Sequence, residues 1–238
     1  MTAALGWGIL AASSLVIGAV LGLIHEWPKR LVGVVLAFGA GALISAVSFD
    51  LAEEGAAVGG GRAVAVGLAV GALTYFAADR LVERSAGSGA SDDASGGGTA
   101  LALGAFLDGI PEQMVLGIGL ASGEGVSIGL LAAIFISNLP EAVGSATEMR
   151  DAGRSRRYIS ILWVIVSGVC TLATLAGYGI ASAASGELLA GIDGFAAGAL
   201  LVMLIDSMIP DATRKAGQVA GLATVMGFAL AASLTATI

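Results

Sequence analysis

The sequence predicts an all-α, polytopic membrane protein: eight transmembrane helices in a 3+2+3 inverted-repeat bundle. Three observations carry this. Hydrophobic residues are 57% of the 238 and charged residues only 12%, with a mean hydropathy of +0.93, whereas soluble domains carry about 25% charged residues. Glycine, at 37 residues, is abundant, as close packing between membrane helices requires. Apolar runs long enough to cross a bilayer recur along the chain, and several echo one another.

The runs fall at about 4–24, 31–52, 63–79, 99–121, 125–149, 158–182, 190–209 and 216–237, together a single transmembrane domain over 1–238. The first is read as a span, because no basic stretch or cleavage pattern marks it as a signal peptide. The third, "AVAVGLAVGALTYFAAD", is the shortest. Between spans three and four, "RSAGSGASDDASGGG" (84–98) reads as a flexible cytoplasmic loop.

Basic residues orient the bundle. Lys29, Arg30, Arg80, Arg84, Arg150, Arg154, Arg156, Arg157, Arg214 and Lys215 lie in loops on one side, and only Arg62 lies on the other. The positive-inside rule puts the first set in the cytoplasm and both termini outside, in the cell (plasma) membrane. The net charge of −7 says little about a partner, and no stretch resembles a nucleic-acid surface. Cys170, the single cysteine, lies in span six and reads as a small core hydrophobe. Small residues four apart, such as Gly67 and Gly71, permit close helix packing within the bundle or between the subunits of a homodimer.

Two echoes suggest the repeat. "DGIPE" at 108–112 returns as "SNLPE" at 137–141, in spans running in opposite directions. "FGAGALI" (38–44) in span two returns as "FAAGALL" (195–201) in span seven, again antiparallel. Spans one to three and six to eight then flank a central pair, as in secondary transporters.

The buried acids point to chemistry. Pro111 precedes Glu112, Pro140 precedes Glu141, and Pro210 precedes Asp211. A proline inside a helix frees the carbonyl four residues back, here those of Leu107 and Ile136, close to each carboxylate. Asp108 and Glu112 are four apart and share a helix face, as do Ser137 and Glu141; Asn138 lies three before Glu141. An ionised carboxylate at the bilayer centre costs at least ~2.5–3.5 kcal/mol, and a divalent cation bound by Asp108, Glu112, Ser137, Asn138 and Glu141 would offset that cost. A solitary proline is more often a packing kink and a solitary acid near a helix end more often faces water; the doubled Pro–Glu pairs fit those readings poorly. Asp50 with Glu53 and Glu54 marks a mouth at the outer end of span two, and Asp206 a stage near the inner end of span seven. Gln113 and Glu148 are further pathway candidates.

Span four, "FLDGIPEQM", and span five, "FISNLPEAV", resemble the paired metal-binding helices of the ZIP (Zrt/Irt-like) family of divalent metal transporters, and "FAAGALLVMLIDSMIPDA" is similar to the family's seventh span. The resemblance implies the inverted 3+2+3 bundle and movement of zinc, manganese or iron(II) into the cytoplasm as substrate, with no organic cofactor. It assigns Glu112 and Glu141 to the glutamates that bridge metal. Asp108 stands where the fourth-span motif has histidine and Gly109 where it has asparagine. Ser137 takes the His or Gln position of the fifth span, and Gln113 and Ala142 replace the motif glycines. The one histidine, His25, lies in a loop. Such an oxygen-rich set is harder than imidazole and raises manganese and iron(II) relative to zinc.

Two other classes stay open on the sequence: a non-transporting membrane sensor or structural subunit, and a metal-dependent membrane enzyme. The enzyme reading lacks a basic residue near the Pro–Glu pairs to hold a phosphate. Direct use of ATP lacks a GxxxxGK[ST] motif.

Overall fold

The computed structural model describes residues 1–88, 97–121 and 127–235. Among them are eight helices and no strand: α1 (Thr2–Ile24), α2 (Lys29–Gly59), α3 (Gly61–Ser88), α4 (Gly97–Ala121), α5 (Ile128–Asp151), α6 (Arg156–Ser182), α7 (Glu187–Ala216) and α8 (Val219–Thr235). Six are long and apolar enough to cross a membrane, and α8 contributes a shorter apolar stretch, Val219–Leu234. The protein is a polytopic membrane protein.

Four boundaries differ most from the sequence reading. Helix α3 runs for 28 residues instead of stopping at 79, since good helix formers such as Arg80, Leu81 and Glu83 continue it and no proline interrupts. The loop expected at 84–98 is helical at 84–88 and 97–98, and its centre, 89–96, lies outside the described residues. Helix α2 continues to Gly59 and α7 to Ala216, so Asp50 and Asp206 both stand well inside their spans and not near their ends.

The repeat is written in local geometry. Inside α2 the backbone widens to a π-helical stretch, Val47–Glu53, and inside α7 it does so at Leu204–Met208. Phe38, Gly41, Val47 and Gly60 are followed, at one constant interval, by Phe195, Gly198, Leu204 and Gly217. Gly60 (φ 93°) and Gly217 (φ 64°) make the tight turns into α3 and α8, a left-handed conformation that other residues adopt only with strain.

Packing follows the same symmetry. Helix α3 lies along α7 as α8 lies along α2, and α4 lies along α6 as α5 lies along α1. A Cβ added to Gly71 would fall 1.9 Å from the Phe195 carbonyl oxygen, and one added to Gly227 would fall 1.9 Å from that of Phe38. Gly198 meets the Leu68 carbonyl and Gly41 that of Thr224 in the same way. Such backbone-to-backbone approach gains dispersion where lipid leaves little hydrophobic drive between helices. It also means that Gly67 and Gly71 are used inside the chain, against Gly191 and Phe195 of α7.

Two packing groups result, one of α2, α3, α7 and α8, the other of α1, α4, α5 and α6, joined chiefly where α2 crosses α5. Trp163, Leu15, Met149 and Cys170 are fully buried within the second group.

Candidate metal site

Helices α4 and α5 each carry one proline internally, Pro111 and Pro140. They meet beside the boundary between the two groups. Glu112 is 1% exposed, and α5 supplies its partners. The Ser137 hydroxyl lies 3.0 Å from Glu112 Oε1, and the Asn138 amide nitrogen donates to Oε2 at 2.8 Å. The same hydroxyl is also 3.0 Å from the Ile134 carbonyl, so its one proton is shared between two acceptors. Asn138 Oδ1 is buried without a hydrogen-bond partner. A buried acceptor left unpaired costs about 1–3 kcal/mol, and an arriving cation would relieve that.

Asp108 is also buried, and its partners come from the other packing group. Tyr75 of α3 donates to Oδ1, and the Ser207 hydroxyl of α7 donates to Oδ2 at 2.8 Å. Glu141 of α5 is half-buried. Gly144, one turn further along α5 from Glu141, faces Lys215 of α7: a Cβ there would lie 3.1 Å from Lys215 Nζ.

The structure brings Ser137 and Asn138 of α5 onto Glu112 of α4, while Asp108, one turn before Glu112, is held by Tyr75 and Ser207, and Glu141 stands one turn beyond Ser137. Their arrangement is not a ready-made cage: among the described residues, no three His, Cys, Asp or Glu side chains converge on a single point suited to a metal. Ser137 and Asn138 serve as donors to Glu112. Gly109, in the motif's asparagine position, has a simple steric cause, because a Cβ there would lie 2.9 Å from Cys170 Sγ.

The pathway candidates scatter around this centre. The Gln113 carbonyl oxygen accepts from Thr174 at 2.7 Å, and its buried amide nitrogen has no partner. Asp50 accepts from Ser127, the residue capping the start of α5, at 3.2 Å. Glu53 is exposed. Glu148 is exposed and lines a cavity of about 440 Å³ at the basic end, with Gly144, Thr147 and Lys215. Asp206 is exposed, and Ser207 beside it makes the bond to Asp108.

Sequence reasoning missed Tyr75, Ser207, Thr174 and Lys215. It also missed Asp193, which is 7% exposed and packs against Gly55. Tyr75 had a signal: it is the one tyrosine in span three, four residues before Asp79.

No family model matches the chain. A protein of Arabidopsis thaliana described as a candidate zinc transporter is similar to it, 29% identical over 216 residues. The match covers 88% of this chain and 35% of that protein, so the chain spans about a third of the relative's length. The likeness is consistent with a member of the ZIP family, the resemblance that the paired Pro–Glu motifs carry.

Proposed function

We propose that this chain moves divalent metal cations across the membrane, through a carboxylate-rich site between α4 and α5. The observation that carries this reading is the inter-helix pairing of Glu112 with Ser137 and Asn138, at 3.0 and 2.8 Å, one turn from the buried Asp108. Buried acids at mid-span are costly unless they serve an ion or proton route, and here they sit in the central helix pair of an inverted repeat. The similarity to a candidate zinc transporter points the same way.

The ligand set is Asp108, Glu112, Ser137, Asn138 and Glu141, all oxygen donors. Hard oxygen sites favour manganese and iron(II) over tight zinc selectivity, although carboxylates bind zinc as well. Asp50, Glu53, Gln113, Glu148 and Asp206 would line the route. The basic ends of the helices face the cytoplasm under the positive-inside rule, transport runs inward, and the plasma membrane is the expected location. No enzymatic step is needed.

Uptake of radiolabelled manganese, iron(II) and zinc into proteoliposomes tests the reading. The native chain is expected to take up at least one of them, and Glu112→Gln with Glu141→Gln to abolish it. A folded native protein that takes up none of the three would overturn the proposal.

A further inference from the structure

We propose that Lys215 is a built-in counter-cation of the metal site: its ammonium offsets Glu141 and bars the way from Glu141 to the basic-end cavity. The inference rests on the reading of Glu141 as a metal ligand and adds a residue that no motif assigns.

In sequence, "TRKAG" at the end of span seven reads as an ordinary pair of loop cations. The structure separates the two. Both contact Asp211, but the Arg214 side chain is 73% exposed and that of Lys215 only 12%. Two glycines from two other helices make the slot that the lysine fills. A Cβ on Gly33 of α2 would fall 2.6 Å from Lys215 Cβ, and a Cβ on Gly144 of α5 would fall 3.1 Å from its Nζ. Gly144 lies about one turn from Glu141, on the side toward the basic end.

The order along the route is therefore Glu141, then Lys215, then the cavity that Lys215, Gly144, Thr147 and Glu148 line. A charge held this far from water needs opposite charge nearby. Asp211 supplies one partner, with Nζ to Oδ2 at 2.7 Å. Glu141, one turn along α5 from the Gly144 that meets Nζ, is the next carboxylate toward the site. A divalent ion arriving at Glu141 competes with the ammonium for the same carboxylate and repels it toward the cavity. Occupancy of the site and access from the basic end are then coupled through one flexible side chain. Lys215 is a positioning residue: it acts on the ion through Glu141.

Manganese(II) binding to the full-length protein in detergent, followed by titration calorimetry, tests this. Lys215→Met keeps the stem and removes the charge, and is expected to bind manganese(II) roughly tenfold more tightly, because a competing cation is gone. Lys215→Arg should behave as native. Unchanged or weaker binding in Lys215→Met overturns the proposal, since a merely structural lysine would give that result.

A second measurement does not depend on binding. Ser137, fully buried and one turn from Glu141 on the side away from the cavity, is replaced by cysteine in a Cys170→Ala background and labelled from the basic end with a membrane-impermeant thiol reagent. Lys215→Met and, separately, Glu141→Gln should each label roughly tenfold faster, one by removing the cation and the other by releasing it. Equal rates in all three overturn the proposal. If the native chain binds none of manganese(II), iron(II) and zinc, the metal reading fails, and the labelling rates alone decide whether the lysine bars the route.

Discussion

The hydroxyl of Tyr75 donates to Oδ1 of Asp108, so a side chain of α3 holds a carboxylate of α4 across the boundary between the two packing groups. Ser207 of α7 holds the other oxygen at 2.8 Å. An ion that binds Asp108 must share it with these donors or displace them. Tyr75→Phe keeps the ring and removes one competitor. A hydrogen bond to a charged acceptor contributes about 1.5–3 kcal/mol, so the variant should unfold at lower temperature without added metal. With saturating manganese(II) the gap to the native protein should narrow. An equal gap in both conditions would mean that Tyr75 and the ion do not compete.

Asn138 is the side chain with a foot in two roles. Its nitrogen donates to Glu112, and its buried Oδ1 has no partner. Asn138→Leu removes donor and acceptor together, leaving Glu112 with Ser137 alone on α5. The expected cost in stability is about 1–3 kcal/mol, with manganese(II) binding weakened. Asn138→Asp should also melt earlier, because it sets a carboxylate beside Glu112, but it should gain stability from added metal more steeply than the native chain does. Parallel melting curves against metal concentration, measured for all three proteins, decide the matter; identical metal dependence would remove Asn138 from the ligand set.

The glycine contacts predict where the bundle tolerates a methyl group. Gly71→Ala and Gly227→Ala each place a carbon 1.9 Å from a carbonyl oxygen of the facing helix, so backbones must move apart. Overpacking of this kind costs about 1–3 kcal/mol or more. Gly221→Ala is the control, since nothing lies within 4 Å of the added atom, and alanine gains up to about 1 kcal/mol over glycine in a helix. Thermal unfolding in detergent should rank Gly221→Ala at or above native and the other two well below. Equal melting temperatures would remove the close-packing argument.

How legible this was depended on the scale of the signal. Span positions could be read because a bilayer imposes a length and a polarity on every crossing segment. The α4–α5 constellation could be read because two Pro–Glu pairs at matching spacing are rare in apolar sequence. Helix ends were harder: nothing local distinguishes the last residues of α2 from a loop once "LAEEG" introduces charge. Partners such as Tyr75 and Ser207 were out of reach because they approach Asp108 from helices distant in sequence. Lys215 looked like a loop cation because its slot is made by Gly33 and Gly144, neither of which is near it along the chain. Spacing rules speak about one helix face at a time, and these contacts join three helices.

The π-helical stretch of α7 sets up the last prediction. Ile205, Asp206 and Ser207 are all exposed, yet Ser207 reaches the buried Asp108. A wider turn shifts the helical register by a fraction of a turn. The strip beyond it therefore holds an apolar residue, an acid and a hydroxyl close to the centre of a span. A carboxylate exposed to lipid at that depth is costly, so Asp206 and Ser207 should face water while Ile205, at 61% exposure, faces lipid. In a Cys170→Ala background, Asp206→Cys should react with a water-soluble thiol reagent about as fast as an exposed loop cysteine, and Ile205→Cys far more slowly. Reaction at Asp206→Cys that slows on adding manganese(II) would tie this wet face to the ion route. An unreactive Asp206→Cys in a folded protein would mean that the acid is covered in the membrane, and the route would have to run on the other side of α7.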